Sequence, residues 1–246
     1  MLILSLFVIF LTLILTVFLP DQASFSHLHH VEFLGLTILE PSTVVSSLLM
    51  TVVCAAGCRK SLPFRQQRIA FLTTGFLVFM GLATAIGGIL GHGFIYKTGM
   101  AGKLAGWLCG IIALAFYERG VMYRLGGLVE PKLLSRLLWL NLLGVLFFVI
   151  MTVYYCRFQI SQYHAIYSLL LLIGSMELYI YKKTRSAGSI YVFLAIACGV
   201  LAALTHLSGV SLGVWCQAND ISHIPMAASI WLLYAAMARN GFEKAG

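Results

Sequence analysis

Charge is scarce in this chain, and acidic charge is the scarcest. Only 10% of the 246 residues are charged, and Asp and Glu together number 8 against 16 Lys and Arg. A soluble domain carries about 25% charged residues. Hydrophobic residues make up 61% of the chain, and the mean hydropathy is +0.96. This composition excludes a soluble protein and predicts one integral membrane domain over residues 1–246.

The chain also lacks the motifs of several function classes. It has no Gly-rich phosphate loop, no internal repeat, and no HExxH or HxxxH pair that would place two metal ligands on one helical face. No lysine lies in the last apolar stretch, which argues against a retinal Schiff base. The basic residues lie between apolar stretches, as in membrane proteins, so they do not predict a nucleic-acid partner. The six cysteines show no metal-ligand spacing, and a disulfide between Cys156 and Cys216 is left open.

Eight apolar stretches approach the length of about 20 residues that a membrane-spanning helix needs. They cover residues 2–19, 34–58, 69–96, 104–117, 137–155, 164–181, 189–207 and 221–238. We expect residues 1–20 to form a retained helix, with a cleaved signal sequence as the alternative, because no basic residue precedes this stretch. The predicted fold is an all-α polytopic transmembrane bundle with eight spans: a seven-helix core over residues 34–238 and this N-terminal helix or signal.

The distribution of basic residues predicts the orientation. Thirteen of the 16 Lys and Arg lie in the C-terminal tail and in the connections after the second, fourth and sixth stretches. The other three are Lys97, Lys103 and Arg157. Because Lys and Arg favour cytoplasmic connections, we expect a cytoplasmic C-terminus.

Four ionisable residues in or beside four separate apolar stretches fall near the predicted outer membrane face: Glu40, His92, His206 and His223. Asp220 and His164 lie at the same level. Each ionisable group costs roughly 2.5–3.5 kcal/mol inside hydrocarbon, so such groups indicate function. The sequence therefore predicts a polar site beneath the outer leaflet.

Imidazole nitrogen and carboxylate oxygen are ligands that zinc accepts. We predict His92, His206 and His223 as zinc ligands, with Glu40 or Asp220 as the base that moves a proton or holds a ligand histidine. Bound zinc lowers the pKa of its water to about 7. Structural alternatives stay open, namely headgroup or backbone contacts for single histidines and helix capping around Asp220.

Several polar residues have simpler interpretations. We expect Ser42, Ser46 and Ser47 to bond backbone carbonyls rather than to supply a nucleophile. Glu118 and Glu177 fall near predicted inner helix ends, beside Arg119 and Lys182, where pairing at the interface explains them. In the third stretch, Gly87 and Gly91 form a GxxxG pair that lets a neighbouring backbone approach, so we expect this helix to be central.

Three segments carry a resemblance to known families. Leu39-Glu40-Pro41-Ser42, residues 87–93 (GGILGHG) and residues 219–223 (NDISH) resemble signatures of an uncharacterised family of bacterial multi-pass membrane proteins, which implies a bacterial inner membrane. More distantly, the spans and outer histidines are similar to the superfamily of alkaline ceramidases and adiponectin receptors, with a seven-helix zinc site that hydrolyses lipid amides. His92 and His223 match two of its ligands, whereas Gly88 and Ala227 stand where it has serine and its final histidine.

The functional hypothesis is a metal-dependent intramembrane hydrolase acting on a lipid amide or ester, with membrane lipids as partners. The alternatives are a non-enzymatic binder or relay of haem, metal or protons, and a structural membrane subunit. Histidines on different helices, such as His92 and His206, would suit b-type haem.

Overall fold

The computed structural model describes residues 28–241, without the side chains of the last two. Within this range, seven helical segments are long and apolar enough to cross a membrane. The fold is thus an all-α polytopic bundle, and the protein is an integral membrane protein. The predicted stretch 2–19 lies outside the described residues.

A short β-hairpin precedes the helices. Strand β1 (His30–Phe33) pairs antiparallel with β2 (Leu36–Leu39), and both turn residues, Leu34 and Gly35, have positive φ, as a two-residue hairpin turn requires. The helices are α1 (Pro41–Ser61), α2 (Arg68–Gly88), α3 (Ile95–Leu125), α4 (Pro131–Tyr155), α5 (Phe158–Ile166), α6 (Gly174–Thr184), α7 (Ala187–Ser208) and α8 (Ala218–Gly241). A π-helical segment, Ile89–Gly93, extends α2, and a second, Tyr167–Ile173, joins α5 to α6 in one span.

Some predicted boundaries are wrong. Residues 34–39, which the prediction includes in the second apolar stretch, belong to the hairpin. Helix α1 begins only at Pro41, because proline lacks an N–H and the first position of a helix does not use one. The stretch 104–117 is only the middle of α3, which has 31 residues. The C-terminal end of α3 therefore lies seven residues beyond Glu118, and this carboxyl group is fully buried inside the bundle instead of lying at an interface.

The most buried helix is α3, not the glycine-rich α2 predicted to be central. In the apolar segment of α3, 72% of the residues are buried inside the bundle, against 33% in the apolar segment of the α2 span. The glycines of α2 still allow close approach: a Cβ added to Gly106 of α3 would lie 3.0 Å from Gly87 Cα. Small residues on both helices bring their backbones together, as is common within membranes.

Short connections make successive spans run in opposite directions, which gives the bundle two distinct ends. The site end carries the hairpin, Cys156 and the connection 209–217. The basic end carries the connections 62–67, 126–130 and 185–186. The cytoplasmic location of the basic end stays a prediction.

Candidate functional site at one end of the bundle

Glu40 lies where the hairpin becomes helix α1. Its backbone is left-handed, with φ 43° and ψ 53°, and its N–H donates to the His29 carbonyl at the end of the hairpin. This conformation costs a non-glycine residue about 1–2 kcal/mol. The Glu40 side chain does not cap the helix; instead its Oε2 accepts from His92 Nδ1 at 2.8 Å. The turn therefore directs a carboxylate towards a histidine on the neighbouring span.

His92 lies in the π-helical segment that ends the span of α2. Such local widening of a helix is frequent at functional sites. The segment packs tightly: a Cβ on Gly93 would lie 3.1 Å from Val44 Cγ2 of α1, and one on Gly91 would lie 3.1 Å from Lys103 Cγ of α3. The His92 side chain nevertheless keeps 23% of its surface exposed, so a second molecule has access to it.

A second histidine pairs with a serine across two helices. Ser46 Oγ of α1 lies 2.7 Å from His223 Nδ1 of α8, and 3.2 Å from the Thr43 carbonyl. The contact with the carbonyl was predicted. The shorter contact with His223 was not, and it removes the reason for discounting this serine as a nucleophile. His223 also interacts electrostatically with His92 and His206.

Asp220 links the same two helices one turn closer to the membrane surface. Its Oδ1 accepts from Thr43 Oγ1 at 2.7 Å, and its Oδ2 accepts from the Gln217 N–H at 2.8 Å. The second bond closes the N-terminus of α8, as an acidic residue in a capping box does. Both carboxylate oxygens are thus engaged in holding α8 against α1.

The pairs follow a common spacing. Glu40, Thr43 and Ser46 are three residues apart and lie on one face of α1, while Asp220 and His223 are three apart on α8. We call these five residues and His92 the site-end cluster. Sequence reasoning found four of the six and missed Thr43 and Ser46 as participants. The only signal for them was this matched spacing on two helices.

The structure brings His92 and His223 into one cluster but leaves His206 at its edge. His206 packs edge-to-face on Phe158, with ring centroids 5.6 Å apart. Among residues 28–241, no group of three or more His, Cys, Asp or Glu side chains is arranged to hold a metal ion. The three predicted zinc ligands are therefore not assembled as a set in this conformation.

Other predicted pairings also differ. Glu177 is buried and pairs with Arg124, not Lys182, and Glu118 accepts from Asn141, not from Arg119. All six cysteines are free, so Cys156 and Cys216 form no disulfide here. Burial raises the pKa of the Cys156 thiol above its ordinary value.

Comparison with known proteins gives one match. Residues 42–241 match a family described as "Family of unknown function (DUF6962)", and this range contains five of the six residues of the site-end cluster. A search of the curated proteins and a search of the solved structures each gave no match. Because the match covers most of the chain, the protein belongs to this family of unknown function, which confirms the predicted membership in an uncharacterised family.

Proposed function

We propose that the protein is an intramembrane hydrolase of a lipid amide or ester, with the site-end cluster as its catalytic centre. The observation that supports this most is the 2.7 Å contact between Ser46 Oγ and His223 Nδ1, made between two helices at one membrane face. A nucleophile within hydrogen-bond reach of a base is the common feature of covalent hydrolysis. In this proposal the site end faces the outer leaflet, because the Lys and Arg residues concentrate at the other end.

Ser46 would be the nucleophile and His223 the general base. Ser46 Oγ attacks the substrate carbonyl carbon while its proton passes to His223 Nδ1. The tetrahedral intermediate expels the amine or alcohol, which takes that proton, and the acyl group stays on Ser46 as an ester. Water then attacks this ester, releases the fatty acid and returns a proton to Ser46.

His92 would activate the water of the second step. Glu40 accepts the proton of His92 Nδ1, so Nε2 of the same ring keeps its lone pair. Within the described residues no hydrogen bond engages His92 Nε2, and the partly exposed ring allows water to approach it. Asp220, engaged by Thr43 and by a backbone N–H, acts as a positioning residue that fixes His223 one turn below it.

The surroundings of the pair favour a substrate from the bilayer. Val45, next to Ser46, has 58% of its surface exposed, and Ile224, next to His223, has 72%. In a membrane these surfaces contact acyl chains. A lipid can thus bring its carbonyl group to Ser46 laterally, just beneath its headgroup.

Labelling with a fluorophosphonate, which reacts with activated serines, tests this proposal on the purified full-length protein. We expect wild type to be labelled at Ser46, Ser46→Ala to show no label, and His223→Gln to label about 10²–10⁴-fold more slowly. Ser42→Ala, one turn away on α1, is the matched control and should label as wild type does. An unlabelled wild type, or a labelled Ser46→Ala at the wild-type rate, would contradict the role of Ser46.

A zinc-dependent form of the same reaction is the second candidate. One observation favours it: His92 and His223 are each held through Nδ1, by Glu40 and Ser46, which is how ligand histidines are commonly oriented. His206 would have to leave Phe158 to provide a third ligand. Metal analysis decides this, since stoichiometric zinc in wild type and its loss in both His92→Ala and His206→Ala would support the metal form. Metal-free wild-type protein that still takes the fluorophosphonate label would exclude it.

A further inference from the structure

A second set of polar groups lies away from the site-end cluster, between α3, α4 and the span that begins with α5. Five of its atoms are buried and make no well-formed hydrogen bond within the described part of the chain: Thr152 Oγ1, both ring nitrogens of His164, Glu118 Oε1, and Ser168 Oγ, which lies beside the Glu118 carboxyl group. Each side chain is at most 1% exposed. We call these four residues the buried polar column.

The column begins beneath an open pocket at the site end. This pocket has a volume of about 640 Å³, and Cys156 and Ile160 are among the residues that line it. Thr152 lies one helical turn below Cys156, and His164 lies one turn below Ile160. The column therefore starts about 6 Å beneath the lining of the pocket.

From there the column continues deeper into the bundle. Ser168 follows one turn below His164, in the π-helical segment Tyr167–Ile173. Its hydroxyl lies beside the Glu118 carboxyl group without a well-formed hydrogen bond. The other oxygen of Glu118 accepts from Asn141 Nδ2, and Asn141 Oδ1 accepts from Arg119 Nε.

Unpaired polar atoms at this depth need partners. A polar group without a hydrogen bond in an apolar environment costs about 1–3 kcal/mol or more, and hydrocarbon supplies no partner. Hydroxyl, imidazole and carboxyl groups each exchange hydrogen bonds with water as donors or acceptors. Buried water that makes about three such bonds is a normal part of protein structure.

We propose that the buried polar column lines a chain of water molecules through which protons move between the site-end pocket and the Glu118 carboxyl group. His164 transmits a proton by accepting it on one ring nitrogen and releasing another from the second. The Glu118 carboxyl group binds the proton at the end of the column that lies farther from the pocket. The process is a proton transfer alone, with no other bond made or broken. This role does not depend on hydrolysis at the site-end cluster.

The charged and titratable groups around Glu118 come from three helical segments. Arg119 is adjacent on α3, Tyr167 interacts electrostatically with Glu118 from the π-helical segment, and His164 precedes it along the column. Helix α4 contributes Asn141, which does not titrate. Closer to the basic end, Arg124 and Glu177 pair with each other, so their charges offset one another.

A hydrophobic carbodiimide tests the proposal, because it modifies protonated buried carboxyl groups and spares carboxylates. Full-length protein is reconstituted in vesicles, and vesicles whose C-terminal affinity tag faces outward are removed, which leaves the site end outside. The pH is then set separately on the two sides, and labelling of Glu118 is read by peptide mass spectrometry.

We expect labelling of wild type to follow the outer pH, falling about tenfold per pH unit once the acid is mostly ionised, and to ignore the inner pH. His164→Phe should weaken the response to outer pH several-fold, and Ser168→Val provides the same test should the larger ring prevent folding. Ser175→Ala, a lipid-facing hydroxyl on the same span, is the matched control and should keep the wild-type response.

Three results would overturn the proposal. In the first, Glu118 takes no label or its labelling follows the inner pH. In the second, labelling is the same at every pH. In the third, both His164→Phe and Ser168→Val keep the full response to outer pH.

Discussion

The two polar regions of this bundle stabilise their buried groups differently. In the site-end cluster, polar side chains pair one to one across helices, as Glu40 does with His92 and Ser46 with His223. In the buried polar column, neither ring nitrogen of His164 has a partner among the described residues, and Ser168 lies beside Glu118 without a well-formed hydrogen bond. Both regions contain histidine, hydroxyl and carboxyl groups, so composition does not explain the difference.

Burial explains the difference better. The cluster lies at helix ends, where His92 keeps 23% of its surface exposed and water or headgroups supply any missing hydrogen bond. The column lies against α3, the most buried helix, where only enclosed water is available. Direct pairs fix geometry, which suits catalysis, whereas water-bonded groups exchange partners, which suits proton movement.

The largest loss of stability should come from breaking a buried ion pair where water cannot replace the lost partner. Glu177 is fully buried, and it pairs with Arg124 while it also accepts from Ser189. Arg124→Met leaves this carboxyl group without its charged partner, and we expect a loss of about 3–5 kcal/mol in the free energy of unfolding. Thermal unfolding in detergent measures it.

The same experiment carries its own controls. Arg119→Met removes a half-buried arginine about one and a half turns away on the same helix and should cost much less. The double variant Arg124→Met with Glu177→Met should recover most of the loss, because it leaves no unpaired charge. Equal losses for Arg124→Met and Arg119→Met would show that burial does not set the cost.

A smaller loss of stability should follow when Glu118 of the buried polar column loses its hydrogen bond from Asn141. Asn141→Leu removes the donor to Glu118 Oε2, so the carboxyl group would have no side-chain donor from α4. We expect about 2–3 kcal/mol of destabilisation, measured by the same unfolding assay. If water already bonds Glu118, as we propose, the loss should fall at the lower end of this range. A loss as large as that of Arg124→Met would argue against a hydrated column.

The sequence predicted the spans because hydropathy and basic connections are local properties. It also predicted that Glu40, His92 and His223 meet, since ionisable residues at one membrane level have few other places to go. Their partners could not be predicted in the same way. Ser46 faces His223 because of the rotation of α1 against α8, which no local pattern in the sequence specifies.

Helix ends gave the least reliable predictions. The hydropathy pattern predicts an interfacial Glu118 because the apolar stretch ends near it, yet α3 continues to Leu125 and buries this residue. Charged residues such as Arg119 and Arg124 lower hydropathy without ending a helix when neighbouring spans supply their partners. For this reason the sequence does not predict that Glu118 belongs to the buried polar column.

A modest loss is expected where the cluster fastens two helices together. Thr43→Val keeps the side-chain shape but removes the hydrogen bond to Asp220 Oδ1, while the Gln217 N–H still bonds Oδ2. We expect about 1 kcal/mol of destabilisation, read from thermal unfolding, since one of two hydrogen bonds to the carboxylate remains. Labelling of Ser46 should slow as well, because α8 then holds His223 less firmly. Unchanged labelling with reduced stability would restrict Asp220 to a structural role.

The smallest loss of stability should come from Glu40→Gln. The amide oxygen of glutamine can still accept from His92 Nδ1, and the partly exposed pair is worth about 0–1 kcal/mol. Catalysis should respond differently, because a neutral amide stabilises the charged imidazole less than a carboxylate does. We therefore expect normal unfolding and normal first-step labelling of Ser46, but slower release of the acyl group, measured as persistence of the acyl-enzyme by intact mass. Equal persistence in wild type and variant would remove His92 from the second step, and the contrast between a fixed pair and a hydrated column would then describe stability alone.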